Sequence, residues 1–404
     1  MKKILKVTLI VALLFLLQIN ILSGVEQKHK HNSLVKSNNK FGFDLYDQIR
    51  QKNKNVFVSP YSISSALLMV YEGAKGKTAE EMKNVLHVIE DRGKIRSDYK
   101  NLVNKTNSSE NFYKLRTANA LWTDENYPFV SEYVKAIKEY YLGKVTNMDF
   151  QNKTEESRQT INNWVKDKTE DKIKDIIPAG MLNPMTVSVL TNAIYFKADW
   201  IDKFQKELTR EEEFTLSSGD NIITPFMHNT DNFKYGENDD LQILEMDYVG
   251  GEISMIVLLP KENDICKIEG LLNQKSLRNW KNSMSYERVN IALPKFKFRT
   301  KYFLADQLKK MGMTTAFIYP QADFRGISPT GELFISEVIH QTFVEVAEYG
   351  TEAAAATAVM MKAGAAPQME QPKVFRADHP FIFIIQQKDS GNILFMGKLC
   401  NPNE

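Results

Sequence analysis

The chain has 404 residues, 43% hydrophobic and 25% charged, with a formal net charge of +2. This is globular composition with material for a large core, and length alone favours two or three domains. The near-neutral balance gives no electrostatic reason to expect nucleic acid or a strongly acidic partner.

Lys2, Lys3 and Lys6 precede an apolar run from Val7 to Leu17, and small residues follow at Ser23 and Gly24. This order predicts a signal peptide over residues 1–24 and a secreted, extracellular protein. Gln18 and Asn20 break the run short of the roughly 20 apolar residues that a membrane span needs, and no later stretch is long enough to cross a membrane. Residues 25–37 are polar and basic and are expected to form a flexible segment, His29 and His31 included.

From Phe41 onward, Phe41, Phe43, Leu45 and Ile49 suggest a first helix. Residues 55–58 read as a short strand before Pro60, and Ser62 to Glu72 carries an apolar face at helical spacing. Thr78 with Glu81 three positions on reads as a capping box. Phe129 to Tyr141 and Thr154 to Lys168 look helical, whereas Val187 to Phe196 is an apolar strand of the kind buried on both faces. Strand signals recur at Ile243 to Met246, Ile253 to Leu259 and Val289 to Phe298, and a helix is predicted over Tyr302 to Met311. The end is strand-rich, with Leu333 to Val346, Phe381 to Ile385 and Ile393 to Met396. No linker or repeat divides the chain, so one mixed α and β domain over residues 38–404 is expected, against the length prior.

Cys266 and Cys400 could form one disulfide, and two free thiols are the expectation. Asn104, Asn107 and Asn152 each open an Asn-x-Ser/Thr sequon and are glycosylation candidates. Enzymatic chemistry is not apparent. The chain lacks a Gly-x-Ser-x-Gly elbow and a His-Glu-x-x-His helix, and Gly76-Lys77-Thr78 lacks the first glycine of a phosphate-binding loop, that position being Tyr71. Nothing assembles a nucleophile, a base and an oxyanion donor, and no cofactor or metal is implied.

The most informative stretch is Gly350-Thr-Glu-Ala-Ala-Ala-Ala-Thr-Ala358, which follows the alternating segment Phe343 to Val346. Small uncharged residues neither solubilise nor pin a loop. They do suit a segment that must fit between existing strands. Alternate residues of a strand share a face, so Thr351, Ala353, Ala355 and Thr357 would enter the interior together, and all are small.

Several motifs resemble the serpin family, in that family's order and over essentially the whole mature chain. They are Asn55-Val-Phe-Val-Ser-Pro-Tyr-Ser-Ile-Ser-Ser-Ala-Leu67, Thr191-Asn-Ala-Ile-Tyr-Phe-Lys197 with Trp200 and Phe204, and Asp323-Phe-Arg-Gly-Ile-Ser328. Ser336-Glu-Val-Ile-His340, Glu348 to Thr357, Asp378-His-Pro-Phe381 and Phe395-Met-Gly397 complete the set. The resemblance implies a single metastable domain of about nine helices around three β-sheets, with an exposed C-terminal reactive-centre loop at about 348–377. It also implies a mechanism in which a serine protease cleaves the loop and is trapped covalently as the loop inserts into the main sheet. The chain itself would not be an enzyme.

By the same resemblance, Glu348, Gly350, Thr351, Glu352, Ala353, Ala354, Ala355, Ala356 and Thr357 form the hinge, and Glu348 pairs with Lys295. Trp200 marks the point of loop entry, and Ser59, Asn192 and His340 form a hydrogen-bonded cluster beneath the sheet. Ala347, Tyr349 and Gln341 depart from the family's usual Asn, Glu and Lys. The specificity residue of typical members lies fourteen positions after the hinge glycine, which gives Gly364 followed by Ala365. With Ala363 nearby, this small-residue bait points to an elastase-like protease. Cleavage after Lys362 would instead imply a trypsin-like target, and after Met361 or Met369 a chymotrypsin- or cathepsin-like one. A non-inhibitory carrier is the alternative class. Arg92, Lys94, Arg96 and Lys100 are the one candidate patch for weak glycosaminoglycan binding, diluted by Asp91 and Asp98. The mature protein is expected to be a monomer.

Overall fold

A computed structural model describes residues 33–107, 112–351 and 371–404. The predicted signal peptide, hinge residues Glu352 to Thr357 and bait residues Lys362 to Ala365 lie outside the described residues. Among the described residues, no helix is long and apolar enough to cross a membrane.

Nine α-helices occur among the described residues, but the strands join into two hydrogen-bonded sheets where three were expected. The reason is the strand Asn221–Glu237. Its 17 residues pair in turn with Arg210–Thr215, Ser285–Pro294 and Leu241–Asp247, so one long strand fuses two smaller ladders into a nine-stranded sheet. The six-stranded sheet runs in the order Phe296–Phe303, Glu337–Ala347, Gly350–Thr351, Ser188–Asp199, Lys114–Asp124 and Lys144–Met148. An aromatic core fills the space between the sheets. Phe57 stacks on Phe395 with centroids 5.0 Å apart and on Phe383 at 5.6 Å, while Phe298 meets Phe57 edge-on.

The first helix spans 33–49, and Leu34, Val35 and Ser37 are buried. Residues 33–37, expected in the flexible segment, are therefore part of the packed domain, because Leu34 and Val35 continue the apolar face that begins further on. Pro60–Tyr71 is buried along its whole length. Ser59 caps it by accepting from the Ser62 N–H, with Pro60 at the first position, where its missing N–H costs nothing. Thr78 and Glu81 do not form the expected capping box. The Thr78 hydroxyl accepts from the Asp323 N–H at 3.0 Å, and the Glu81 carboxylate accepts from the N–H groups of Thr314 and Thr315. These side chains tie their helix to a segment more than 230 residues away in the chain.

Thr154–Lys168 lies across the outer face of the six-stranded sheet, with Glu155 and Glu156 in its first turn and Lys166 and Lys168 in its last, as the helix dipole favours. Its Ile161 and Val165 pack in one cluster with Ala118, Ala193 and Ile339, so the helix spans three neighbouring strands. Lys144 adds a polar fastening. Its ammonium lies 4.8 Å from the Trp122 ring and 5.3 Å from Trp164 of the helix.

The motif Asp323 to Ser328 is structural. Gly326 donates to the Gly73 carbonyl at 3.0 Å, and a Cβ added at Gly326 would lie 2.6 Å from that oxygen and 2.8 Å from the Gly73 Cα. Both obstacles are backbone and cannot rotate away. Gly326→Ala is expected to destabilise the uncleaved protein by about 1–3 kcal/mol, read as a lowered midpoint of thermal unfolding.

Candidate functional site: the seam of the six-stranded sheet

The strands Ser188–Asp199 and Glu337–Ala347 run parallel, and they pair only over Val189–Ile194 against Glu337–Thr342. Above that stretch they separate. The chain leaves Ala347, turns at Glu348 and Tyr349, and returns as Gly350–Thr351 between the two strand ends. Gly350 pairs with Ala347 on one side and Asp199 on the other, and Thr351 pairs with Val346 and Ala198. The hinge residues Gly350 and Thr351 are thus already rungs of the sheet.

Gly350 has no substitute here. A Cβ would lie 2.1 Å from the Ala198 carbonyl oxygen and 2.7 Å from the Asp199 Cα, and φ is +155°, where side chains are rarely tolerated. Thr351 is buried, and its hydroxyl lies 2.6 Å from that of Tyr248. Trp200 stacks on Tyr248 at 4.3 Å and 15°, and its indole N–H donates to the Ala347 carbonyl at 3.1 Å. The backbone N–H groups of Trp200 and Phe204 donate to the carbonyls of Tyr349 and Glu348, each at 2.9 Å. Only backbone atoms of Ala347 and Tyr349 take part in these bonds, so the two departures from the family pattern leave them intact.

The Glu348 carboxylate is 5% exposed and meets the Lys295 ammonium at 3.0 Å, with the Thr209 hydroxyl also donating at 3.0 Å. Burial alone would raise this carboxyl. The hydrogen bonds from its own backbone, Lys295 and Thr209 outweigh that and hold it below the usual carboxylate range.

Halfway down the seam, His340 stands directly opposite Asn192. The Ser59 N–H can only donate, and it points at His340 Nε2 at 3.2 Å. The Asn192 amide nitrogen donates to Ser62 O at 2.8 Å and to Asn119 Oδ1, which turns its oxygen toward His340 Nδ1. These partners fix a neutral ring with the proton on Nδ1. Ser59 Oγ donates to Leu394 O at 2.6 Å, linking the cluster to the other sheet. Burial pushes the His340 pKa down to about 3.

The sequence reading names Ser59, Asn192 and His340 as a cluster, Glu348 and Lys295 as a pair, Trp200 as the point of entry and Gly350 and Thr351 as hinge residues; in the structure the first three meet halfway down the seam and the others lie at its top. That reading missed Tyr248, Thr209 and Asn119. None lies in a distinctive motif, and their roles depend on contacts across 54 or more residues of sequence. Gln341 is buried, and its Oε1 has no hydrogen-bond partner among the described residues.

Other candidates fare differently. Arg92 donates to Ala74 O and lies over the Tyr71 ring, Lys94 pairs with Glu90, Arg96 with Glu72, and Lys100 with Glu139 at 3.6 Å. All four patch residues are thus already engaged. Asn104 and Asn152 are exposed, whereas Asn107 is half-buried with its side-chain oxygen out of solvent. Cys266 and Cys400 are free thiols, the first exposed and the second buried. Among the described residues no group of His, Cys, Asp and Glu side chains is arranged to hold a metal.

A family model described as "Serpin (serine protease inhibitor)" matches residues 36–402. The chain therefore belongs to the serpin family. An uncharacterised serpin-like protein of Thermococcus kodakarensis is 46% identical over 381 residues, covering 94% of this chain and 88% of the relative. The human leukocyte elastase inhibitor is 38% identical over 383 residues, covering 91% and 99%. Among solved structures, uncleaved ovalbumin superposes with a TM-score of 0.83 at 29% identity, covering 92% of this chain and all of that one. The fold is a single-domain serpin fold.

The state of His340 has a measurable consequence. An unperturbed histidine titrates near 6.5 and the folded one near 3, so between these values the unfolded chain binds the extra proton and the folded one does not. The stability this site supplies is full above pH 6.5 and falls as pH drops toward 3. Thermal midpoints of His340→Gln, measured from pH 7 down to 4, are expected to decline less steeply than those of the parent.

Proposed function

We propose that the chain is a secreted, monomeric suicide-substrate inhibitor of serine endopeptidases, with an elastase-like protease as its target. The observation that carries this reading is the placement of Gly350 and Thr351 between the strands of the seam. Were that register continued by insertion, Ala353 would come between Phe196 and Val344, Ala355 between Ile194 and Thr342, and Thr357 between Asn192 and His340. On insertion each of these hinge residues would face the interior, as Thr351 does, and each is small enough to enter. Met361 would come opposite Ser188, the first residue of that strand, and the bait at Gly364 would then fall just past the end of the ladder. The fourteen residues from hinge glycine to bait span about 46 Å when extended.

In this reading the protease's serine oxygen attacks the Gly364 carbonyl carbon. The bond to Ala365 breaks, the Ala365 amine departs with a proton, and Gly364 is left as an ester on the protease. Freed from its second anchor, the loop inserts and carries the acylated protease with it. The His340–Asn192 contact must open to admit Thr357, which brings its own hydroxyl to the vacated partners. The chemistry is the protease's, and the chain's part is mechanical.

The small residues at Ala363 to Ala365 support a shallow-pocketed target, and the likeness to the human leukocyte elastase inhibitor agrees with it. A shifted scissile bond at Lys362, Met361 or Met369 would redirect the inhibitor to trypsin-, chymotrypsin- or cathepsin-like proteases. A carrier role needs no small inserting residues. The engagement of Arg92, Lys94, Arg96 and Lys100 by neighbouring groups gives a glycosaminoglycan activator little support.

Incubation with elastase, trypsin, chymotrypsin and a cysteine cathepsin is expected to give a denaturant-stable complex with elastase, and the mass of the released C-terminal peptide names the bond. Thr351→Arg would force a charge against Tyr248 and Val346. It is expected to yield cleaved chain without complex; trapping at the parent stoichiometry would overturn the insertion reading.

A further inference from the structure

The contact between Thr351 and Tyr248 does more than fill space. Thr351 Oγ1 and Tyr248 Oη are 2.6 Å apart and buried, and among the described residues each is the other's hydrogen-bond partner. Tyr248 cannot follow the hinge if the hinge leaves. Its ring is stacked on Trp200 and lies edge-on to Phe196 at 5.4 Å and 82°. Its backbone bridges Trp200, and its N–H donates to the Ile253 carbonyl at 3.0 Å. Tyr248 follows the strand Leu241–Asp247 of the nine-stranded sheet, so it belongs to the fixed part of the molecule.

We propose that Tyr248 is a positioning residue whose hydroxyl latches Thr351 into the top of the seam, holding the first rungs of the inserting strand in register before any protease arrives. This rests on the insertion reading given above. The latch works through two hydroxyls, and that choice sets its character. A buried polar group that loses its partner is costly, whereas replacing both partners by apolar groups of similar shape is close to neutral or stabilising. The pair therefore makes hinge placement depend on a specific mutual geometry, which two hydrophobic residues would not require. With the latch made, Gly350 and Thr351 need not search for register when cleavage frees the rest of the loop. With one hydroxyl removed, the other is stranded in the interior, and the hinge is driven out to hydrate.

The test is a double-mutant cycle on the uncleaved full-length chain: Tyr248→Phe, Thr351→Val and the pair together. Amide hydrogen exchange at Gly350 and Thr351 reports directly whether the hinge sits in the sheet, and it requires no protease. Each single variant is expected to exchange about tenfold or more faster than the parent at these two amides, and the double variant at or below the parent rate. Exchange over the strand Leu241–Asp247 is expected to stay unchanged in all three. Parent-level exchange in Tyr248→Phe would overturn the proposal. So would a double variant as fast as the singles, or faster exchange spread into Leu241–Asp247, since that signals general loosening. Stoichiometry of inhibition is measured in parallel and is expected to rise in both singles and recover in the double. If the exchange cycle behaves as stated while no protease is trapped by the parent, the latch stands and the inhibitory reading falls. If protease is trapped but the cycle is flat, the reverse holds.

Discussion

Everything in this molecule depends on a seam of six paired residues. Ser188–Asp199 and Glu337–Ala347 are neighbours in the middle of a sheet, yet their backbones pair only from Glu337 to Thr342, in the parallel sense that holds slightly less well per residue. Below the paired stretch the Ser336 N–H reaches the Ser188 carbonyl, and above it the hinge occupies the gap. A sheet interrupted in this way is stable only while side chains close it, and the polar residues of the chain's motifs gather at those places. His340 and Asn192 close the middle, Glu348 with Lys295 and Thr209 closes the turn, and Trp200 with Tyr248 closes the roof.

These closures share a physical design. Each buries a polar group and satisfies it through geometry that insertion would change. His340 is neutral because burial forbids its charge, and its two nitrogens are matched to one donor and one acceptor, so parting the strands removes the acceptor on Asn192. Glu348 stays charged because its bonds to Lys295 and Thr209 outweigh burial. Buried groups of this kind stabilise an arrangement only while every partner is in place. The seam is thus held shut by side chains whose partners lie across it. The helix Thr154–Lys168 adds a further condition. It shares one buried cluster with Ile339 at one side of the seam and with Ala193 and Ala118 at the other, so its apolar face bridges the two sides.

How much of this was legible depended on whether the information was local. Thr154–Lys168 was read with its observed limits because its apolar spacing and terminal charges lie within one segment. Residues 33–37 read as a flexible start because they stand beside polar residues, and only packing of Leu34 and Val35 draws them into a helix. Thr78 and Glu81 have capping-box spacing, but their partners, Thr314, Thr315 and Asp323, were invisible from their own neighbourhood. The joining of smaller ladders into one nine-stranded sheet was hidden for the same reason, since the three pairings of Asn221–Glu237 are a tertiary matter. At the site, the residues carried by motif resemblance were brought together, while Tyr248 went unnoticed among ordinary strand-end residues.

By itself the sequence determined composition, order and size: which segments are apolar, which motifs follow one another, and that the hinge from Gly350 to Ala358 carries almost only small residues. Those are properties of side chains and their spacing, and they need no partner to be true. Only the tertiary structure decided the register in which Thr351 meets Ala198 and Val346, the burial that keeps His340 neutral, and the pairing of Thr351 with a tyrosine from the other sheet. Those are properties of distance between residues far apart in the chain, which local spacing does not encode and the packed interior does.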